Sequence, residues 1–166
     1  MADPTPREPE NIYRPGYFPA LRARIAGIAR QLVRDEHERL QLGTPLAVET
    51  RYQIKVAGME FTLTARPDRI DLLHDGQVMI YDYKSGKPPT DKQIATFDKQ
   101  LILEAAMARR GGFDALGPTD VAGISYIQLG GDGETFPRKF SAEAAEETWQ
   151  KFILLARHYL RHGRGF

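Results

Sequence analysis

The sequence predicts a single mixed α/β domain, in which helices flank a sheet. Three observations predict this fold class. Apolar residues recur at helical spacing near both ends of the chain, segments rich in β-branched and aromatic residues lie between them, and turn residues separate the segments. A chain of 166 residues, 42% of them apolar, has the size and composition of one globular domain. We expect the order α-β-β-β-α-β-β-α.

The first half predicts a helix and a three-stranded meander. Residues 1–14 form a Pro-rich lead that we expect to be flexible, followed by one domain over 15–166. The helix is marked by four apolar residues at helical spacing, Leu21, Ile25, Ile28 and Leu32, and it is ended by Gly43 and Pro45. The three strands are "LAVETRYQIKV" (46–56), "EFTLTARPDRIDLL" (60–73) and "QVMIYDYK" (77–84).

The second half predicts two helices around two strands. Thr90 and Gln93 form a capping box, which starts a helix that runs to Gly111. On it, four residues share a face: Gln93, Phe97, Gln100 and Glu104. The strands "VAGISYIQL" and "TFPRKF" follow, and Ser141 opens the closing helix. The apolar stripe of that helix comprises Trp149, Phe152, Ile153, Ala156 and Tyr159.

The turn after residue 73 determines which residues face each other across the second and third strands. A three-residue loop with Gly76 in the left-handed conformation predicts four cross-strand pairs: Ile70 with Ile80, Leu72 with Val78, Asp68 with Asp82, and Arg66 with Lys84. A two-residue turn would place the two aspartates on opposite faces. The apolar pairs favour the three-residue loop.

Asp68 and Asp82 are candidate metal ligands. Facing carboxylates repel each other unless a cation lies between them, and carboxylate oxygens suit Mg²⁺ or Mn²⁺. Lys84 shares their face, where it could orient or help deprotonate an attacking water and neutralise a scissile phosphate. The simpler interpretation is a solvated sheet edge with ion pairs such as Asp82–Lys84. The apolar residues around Asp82 weaken that interpretation.

The segment "ARPDRIDLLHDGQVMIYDYKSG", followed by "QLILEAA", resembles the core of RecB-type nucleases of the PD-(D/E)XK superfamily. The greatest likeness is to AddB-type C-terminal nuclease domains of helicase–nuclease complexes that process double-strand breaks. The resemblance implies a restriction-endonuclease-like core. It also implies metal binding by Asp68, Asp82 and the backbone carbonyl of Tyr83, with Lys84 catalytic and Gln100 approaching from the next helix.

Three further residues are weaker candidates for the site. Members of the resembled family often carry Tyr four residues after the Gln, where this chain has Glu104, as AddB-type sequences do. For Glu104 and Gln93, the polar shoulder of an amphipathic helix is an equally good interpretation. Glu49 could be an outer carboxylate, but a surface glutamate is the simpler interpretation.

DNA is the expected partner, bound through phosphate contacts that carry little sequence preference. The candidate basic residues surround the site: Arg66, Arg69, Lys84, Lys87, Lys92 and Lys99. The net charge of +1 is too small to argue for nucleic acid by itself. The chain has no Walker A pattern and hence no nucleotide site, so an ATP-driven motor would lie elsewhere, for example in an AddA-type partner subunit.

The sequence therefore predicts a Mg²⁺- or Mn²⁺-dependent DNA exonuclease or endonuclease that acts in double-strand break processing and recombinational repair. The alternative is a catalytically weak or idle DNA-binding or scaffolding module. Retention of Asp68, Asp82, Lys84 and Gln100 favours the enzyme. The absence of cysteine excludes an iron–sulfur cluster, which disfavours a CRISPR-associated exonuclease. No apolar run is long enough to span a membrane and no signal peptide is evident, so we expect a cytoplasmic protein.

One expected ligand is missing. The resembled family carries a histidine on a helix before the meander, within a Gly-Thr-x-x-His type segment. Here the candidate is His37, which lacks that context and is expected to be a surface residue. The Pro-rich start and the basic end "RHGRGF" suggest a piece of a longer chain, with the ligand helix upstream. We therefore expect weak metal binding and low activity that Mn²⁺ or an upstream extension improves.

Overall fold

The computed structural model describes residues 17–96, 99–114, 116–130 and 133–162. The elements in chain order are α1 (Tyr17–Leu42), β1 (Gly43–Val48), β2 (Tyr52–Lys55), β3 (Thr62–Ala65), β4 (Arg69–Leu73), β5 (Val78–Lys84), α2 (Asp91–Thr96), α3 (Gln100–Ala108), β6 (Val121–Gln128), β7 (Thr135–Arg138) and α4 (Ala142–His162). Within these ranges, no helix has the length and apolar content that a membrane crossing requires.

A five-stranded mixed sheet organises the fold, in the order β1-β4-β5-β6-β7. Among the described strands of this sheet, β5 and β6 run parallel and the other neighbouring pairs run antiparallel. A parallel pair needs a crossover connection, which α2 and α3 provide. Strands β2 and β3 form a separate two-stranded sheet. The architecture confirms the predicted mixed α/β class with a restriction-endonuclease-like arrangement.

The predicted three-stranded meander is wrong in one respect, because its first two strands are each divided. The first breaks after β1, where Glu49 adopts a positive φ of 45°. The second breaks between β3 and β4, around Pro67, whose missing N–H and fixed φ suit a strand boundary. Strands β1 and β4 pair with each other in the main sheet, whereas β2 and β3 pair with each other in the small sheet. Hydrophobic patterning alone does not reveal such a change of sheet.

The turn between β4 and β5 is the predicted three-residue loop. Gly76 has a φ of 84°, and its N–H donates to the carbonyl of Leu73 at 3.0 Å. The ladder confirms two predicted pairs, Ile70 with Ile80 and Leu72 with Val78. The ladder ends at Arg69 opposite Tyr81, so the predicted pairs of Asp68 with Asp82 and of Arg66 with Lys84 lie beyond it and stay predictions.

The main core lies between one face of the sheet and helices α3 and α4. It includes fully buried side chains of both layers: Ile70, Ile80, Ile124, Tyr126, Leu101 and Ala105. Ser141 caps α4 as predicted, because its Oγ accepts the N–H of Ala144 at 3.1 Å. Trp149, Ile153 and Ala156 are buried as expected, but Tyr159 is 68% exposed and does not belong to the buried stripe.

The predicted helix after residue 90 is interrupted. Its capping box is confirmed, because the N–H of Thr90 donates to Gln93 Oε1 at 2.8 Å. However, α2 ends at Thr96 and α3 begins at Gln100. Phe97, predicted to share a face with the glutamines, lies outside the described residues. The face predicted for one continuous helix is therefore divided between two helices.

Candidate active site

The candidate site lies at the carboxyl end of β5. Alternation along this strand places Val78, Ile80, Asp82 and Lys84 on one face, toward the core. Asp82 is 4% exposed, and its Oδ2 lies 2.7 Å from Lys84 Nζ. The ammonium of Lys84 also lies 5.7 Å from the centroid of the Tyr126 ring. A buried carboxylate is thus neutralised by a lysine held over an aromatic face.

Asp68 reaches this point from the segment just before β4. Its Oδ2 accepts the backbone N–H of Tyr83 at 2.7 Å. The ladder ends one pair earlier, at Arg69 opposite Tyr81, and the predicted pair of Asp68 with Asp82 would be its next step. The hydrogen bond brings the Asp68 carboxylate beside the end of β5, next to the residue that follows Asp82. Whether the Tyr83 carbonyl contributes as a ligand stays a prediction.

Glu104 is the third carboxylate of the site. It projects from α3 and is 3% exposed. Burial raises the pKa of Glu104 to about 7, opposed by a hydrogen bond from Gln100, while the charges of Asp82 and Asp68 raise the pKa further. Within the described part of the chain, Glu104 Oε2 is buried and accepts no hydrogen bond. Because Glu104 is buried, the polar shoulder of an amphipathic helix does not describe it, and its role in the site stays a prediction.

Gln100 contacts the site through Glu104. It is the first residue of α3, is exposed, and donates from Nε2 to Glu104 Oε1 at 3.2 Å. Gln100 and Glu104 lie one turn apart on α3, and this spacing accounts for their hydrogen bond.

The structure places the two other weak candidates at the surface. Gln93 is exposed, and its side-chain oxygen accepts hydrogen bonds from the backbone and hydroxyl of Thr90. Glu49 is exposed and ion-paired with Arg66. The simpler interpretations, the polar shoulder of a helix for Gln93 and a surface glutamate for Glu49, agree with this exposure. The backbone N–H of Glu49 nevertheless donates to the carbonyl of Asp68 at 3.0 Å, which holds the site segment in place.

The prediction that Arg69 contacts DNA is wrong. Arg69 is 6% exposed, and its guanidinium binds Asp71 through two hydrogen bonds of 2.6 and 2.8 Å. A third bond joins it to Glu36 of α1 at 2.5 Å. Since residue 69 points to the sheet face opposite Asp82, its charge is used to attach α1. Arg66, Lys87 and Lys92 are exposed and Lys99 is half-buried, so their contacts with DNA stay predictions.

His37 lies exposed on α1, as expected of a surface residue. Its helix covers the other face of the sheet, because Glu36 binds Arg69 and Arg39 lies 5.7 Å from the Tyr81 ring centroid. The helix therefore does not bring His37 to the carboxylates.

Arg138 is a neighbour of the site that sequence reasoning missed. Its guanidinium carbon lies 5.6 Å from the centroid of the Tyr126 ring, the same ring that contacts Lys84. Its Nη2 donates to the carbonyl of Pro89 at 2.8 Å, in the loop that follows β5. No local pattern marks this arginine, since its position depends on the pairing of β6 with β7.

The donors of the site suit a hard divalent cation. Asp68, Asp82 and Glu104 offer oxygen ligands only, and one Glu104 oxygen is buried without a partner among the described residues. As they stand, the described side chains include no group of three or more His, Cys, Asp or Glu residues spaced to hold an ion. The Lys84 ammonium occupies the position of a cation at Asp82. The donor chemistry thus suits a metal, but holding one would require these side chains to move closer together, with Lys84 turned away from Asp82.

Comparison with known proteins agrees with this geometry. A family model described as the PD-(D/E)XK nuclease superfamily matches residues 2–163. An uncharacterized protein of Rickettsia typhi is 28% identical over 88 residues, which are 51% of this chain and 10% of the relative. Uncharacterized proteins of Rickettsia bellii and Rickettsia felis are 24% and 27% identical over 69% and 55% of this chain, which covers 16% and 11% of their lengths.

The family match indicates the superfamily and does not distinguish an AddB-type branch within it. Superfamily membership accounts for the mixed sheet and for the D-x-K spacing of Asp82 and Lys84 on its central strand. Because the match covers nearly the whole chain, this protein belongs to the PD-(D/E)XK nuclease superfamily.

Proposed function

We propose that this chain is a Mg²⁺- or Mn²⁺-dependent nuclease domain that hydrolyses DNA phosphodiester bonds. The observation that carries the proposal is the cluster of Asp82, Lys84, Asp68 and Glu104 at one strand end. Members of the superfamily are typically metal-dependent nucleases. A solvated sheet edge does not account for a carboxylate that is 4% exposed beside two others.

Three carboxylates would hold the metal: Asp68, Asp82 and Glu104, with the Tyr83 carbonyl as a further oxygen donor. A bound divalent cation supplies Lewis-acid stabilisation of the phosphate and a water of lowered pKa. Gln100 orients Glu104 by donating to Oε1, which leaves the buried Oε2 available as a ligand. The hydrogen bond from the Tyr83 N–H orients Asp68 in the same way.

Lys84 is the positive group for the scissile phosphate. Its side chain is 33% exposed, so its ammonium can swing from Asp82 toward solvent and a bound phosphate oxygen. There it stabilises negative charge as the phosphate is attacked and orients the attacking water. The Tyr126 ring limits where the ammonium can lie. Exposed Arg66, Lys87 and Lys92, with half-buried Lys99, would contact the DNA backbone.

We further propose that the domain belongs to the AddB-type branch and acts in double-strand break processing, with the motor in another segment or an AddA-type partner. Glu104, at the position where related families often carry Tyr, supports this assignment because it is buried within the site. The relatives are much longer than this chain, so the activity of a whole protein of that kind goes beyond the domain described here.

The test is cleavage of labelled single- and double-stranded DNA with Mg²⁺ or Mn²⁺. We expect cleavage by the wild type, greater with Mn²⁺, and a loss of at least about 100-fold in Asp82→Ala and Lys84→Ala. DNA affinity should remain, since phosphate contacts are spread over several residues. Asp75→Ala, in the exposed turn, is the matched control for Asp82. Intact DNA binding without cleavage by the wild type would instead support the idle scaffolding module.

A further inference from the structure

The loop between β5 and α2 carries an exposed lysine beside the candidate site. It comprises residues 85–90, "SGKPPT", and we call it the β5–α2 loop. Lys87 is exposed near its centre, three residues after Lys84. Since three residues of chain span at most about 10 Å, a DNA strand bound at Lys84 passes Lys87 within a few nucleotides. Lys87 contributes most to binding when the loop holds a single conformation.

The chain that follows β6 packs against the beginning of the β5–α2 loop. The N–H of Leu129 donates to the carbonyl of Lys84 at 2.8 Å, which extends the β5–β6 pairing to the last residue of β5. Gly130 comes next, and a β-carbon at this position would lie 2.4 Å from the carbonyl oxygen of Ser85. Glycine permits this approach because it has no β-carbon. The first residue of the loop is therefore held against the backbone after β6.

Arg138 of β7 holds the other end of the loop. Its Nη2 donates to the carbonyl of Pro89 at 2.8 Å, and its Nε lies 3.8 Å from a carboxylate oxygen of Asp91, the first residue of α2. The ring centroids of Tyr126 and Phe136 lie 5.6 and 5.7 Å from its guanidinium carbon. The side chain of Arg138 is 16% exposed, so the surrounding groups fix the guanidinium where it contacts the loop.

We propose that the β5–α2 loop guides the DNA strand past the site, with Arg138 as the residue that positions Lys87. The inference rests on the proposed function, because Lys87 needs a DNA phosphate to contact. The attachments at Ser85 and Pro89 lie on either side of Lys87 and restrict the backbone between them. A loop that is ordered before DNA binds loses less conformational entropy in the complex. If Arg138 only stabilised β7, the contribution of Lys87 to binding would not depend on it.

The first measurement needs no DNA. The chain has no cysteine, so Gly86→Cys provides a single site for a nitroxide spin label, and among the described residues a β-carbon at residue 86 meets no atom within 4 Å beyond its chain neighbours. We expect electron paramagnetic resonance to show faster label motion when Arg138→Met or Gly130→Ala is added. Lys139→Met, which removes the exposed charge of the next residue, is the matched control and should leave the motion unchanged. Equal label motion in all these chains would overturn the proposal.

The second measurement is a double-mutant cycle of DNA affinity, by fluorescence anisotropy of a labelled oligonucleotide in a chelator, which prevents cleavage. Lys87→Ala should weaken binding at least about fivefold in the wild type and less than about twofold in Arg138→Met, because a displaced loop no longer presents the lysine. In Lys139→Met, Lys87→Ala should keep its full effect. Additive losses for Lys87→Ala and Arg138→Met would overturn the proposal, since Arg138 would then act independently of Lys87, as it would by contacting DNA itself.

The two measurements separate this proposal from the proposed function. A wild type that binds no DNA would refute both the nuclease and the guiding role of the loop, even with a spin label that confirms both attachments. DNA cleavage by the wild type together with additive losses would refute the role of Arg138 alone. Circular dichroism should show Arg138→Met folded, because methionine keeps an apolar stem beside the two rings. If that variant does not fold, Gly130→Ala, which acts on the other attachment, completes the same cycle with Lys87→Ala.

Discussion

Replacing Glu104 with Gln should stabilise the metal-free protein at neutral and alkaline pH. Burial raises the pKa of Glu104 from its usual 4.5 to about 7, and Asp82 and Asp68 add to the rise. Each pKa unit corresponds to about 1.4 kcal/mol, so an ionised Glu104 lowers the free energy of unfolding by about 3 kcal/mol above pH 7. Glutamine retains the shape and hydrogen-bonding capacity without the charge.

The sign of the pH dependence follows from the raised pKa of Glu104. Below pH 4.5 the carboxyl is protonated in both states and carries no penalty. As the pH rises from 4.5 to about 7, the unfolded state ionises first, and the wild type loses stability. The advantage of Glu104→Gln should therefore be about 1 kcal/mol at pH 5 and about 3 kcal/mol at pH 8.

Urea unfolding from pH 5 to pH 8 in the presence of a chelator measures this advantage. Glu60→Gln, at an exposed glutamate, is the control and should change the unfolding free energy by less than about 0.5 kcal/mol at every pH. If the unfolding free energies of the wild type and Glu104→Gln changed with pH by the same amount, Glu104 would not be a buried carboxylate coupled to the aspartates. Added Mg²⁺ should stabilise the wild type more than the variant at pH 8, because the ionised Glu104 gains a cation.

Three other substitutions test the framework around the site. Asp71→Ala should lower the unfolding free energy by about 3–5 kcal/mol, because it leaves the buried guanidinium of Arg69 without its bidentate partner. Gly43→Ala should cost about 1–3 kcal/mol, because its β-carbon would lie 2.3 Å from a backbone oxygen of the neighbouring strand. The control Gly27→Ala enters open space on a helix and should stabilise by about 0.5–1 kcal/mol. Lys87→Ala should weaken DNA binding. It should also reduce the slope of log affinity against log salt concentration by about 1, the loss of one phosphate contact.

Each of these expectations has a contrary result. A loss under about 1 kcal/mol in Asp71→Ala would show that Arg69 is solvated. Equal unfolding free energies for the two glycine variants would contradict the close approach of β1 to β4. An unchanged salt slope in Lys87→Ala, measured by fluorescence anisotropy, would remove Lys87 from the DNA interface.

Local chemistry in the sequence was sufficient for the turn and the sheet register beside the site. Gly76 permits the left-handed conformation, and the apolar alternation of Ile70 and Ile80 allows only one register that buries both. Continued by one step, that register would place Asp68 across from Asp82. The capping box at Thr90 was likewise predictable, because both of its members lie within one turn.

Only the tertiary structure decided the remainder of the site. Glu104 and Arg138 approach from α3 and β7, and their environments depend on how distant elements meet. Arg69 has the sequence context of a surface cation, yet its side chain is buried by α1 and paired with Asp71. A charge pattern does not show which sheet face a helix will cover. The spacing of residues along the chain was enough to predict Asp68 and Asp82 as site residues. The burial of Glu104 and the ion pairing of Arg69 depended on long-range packing.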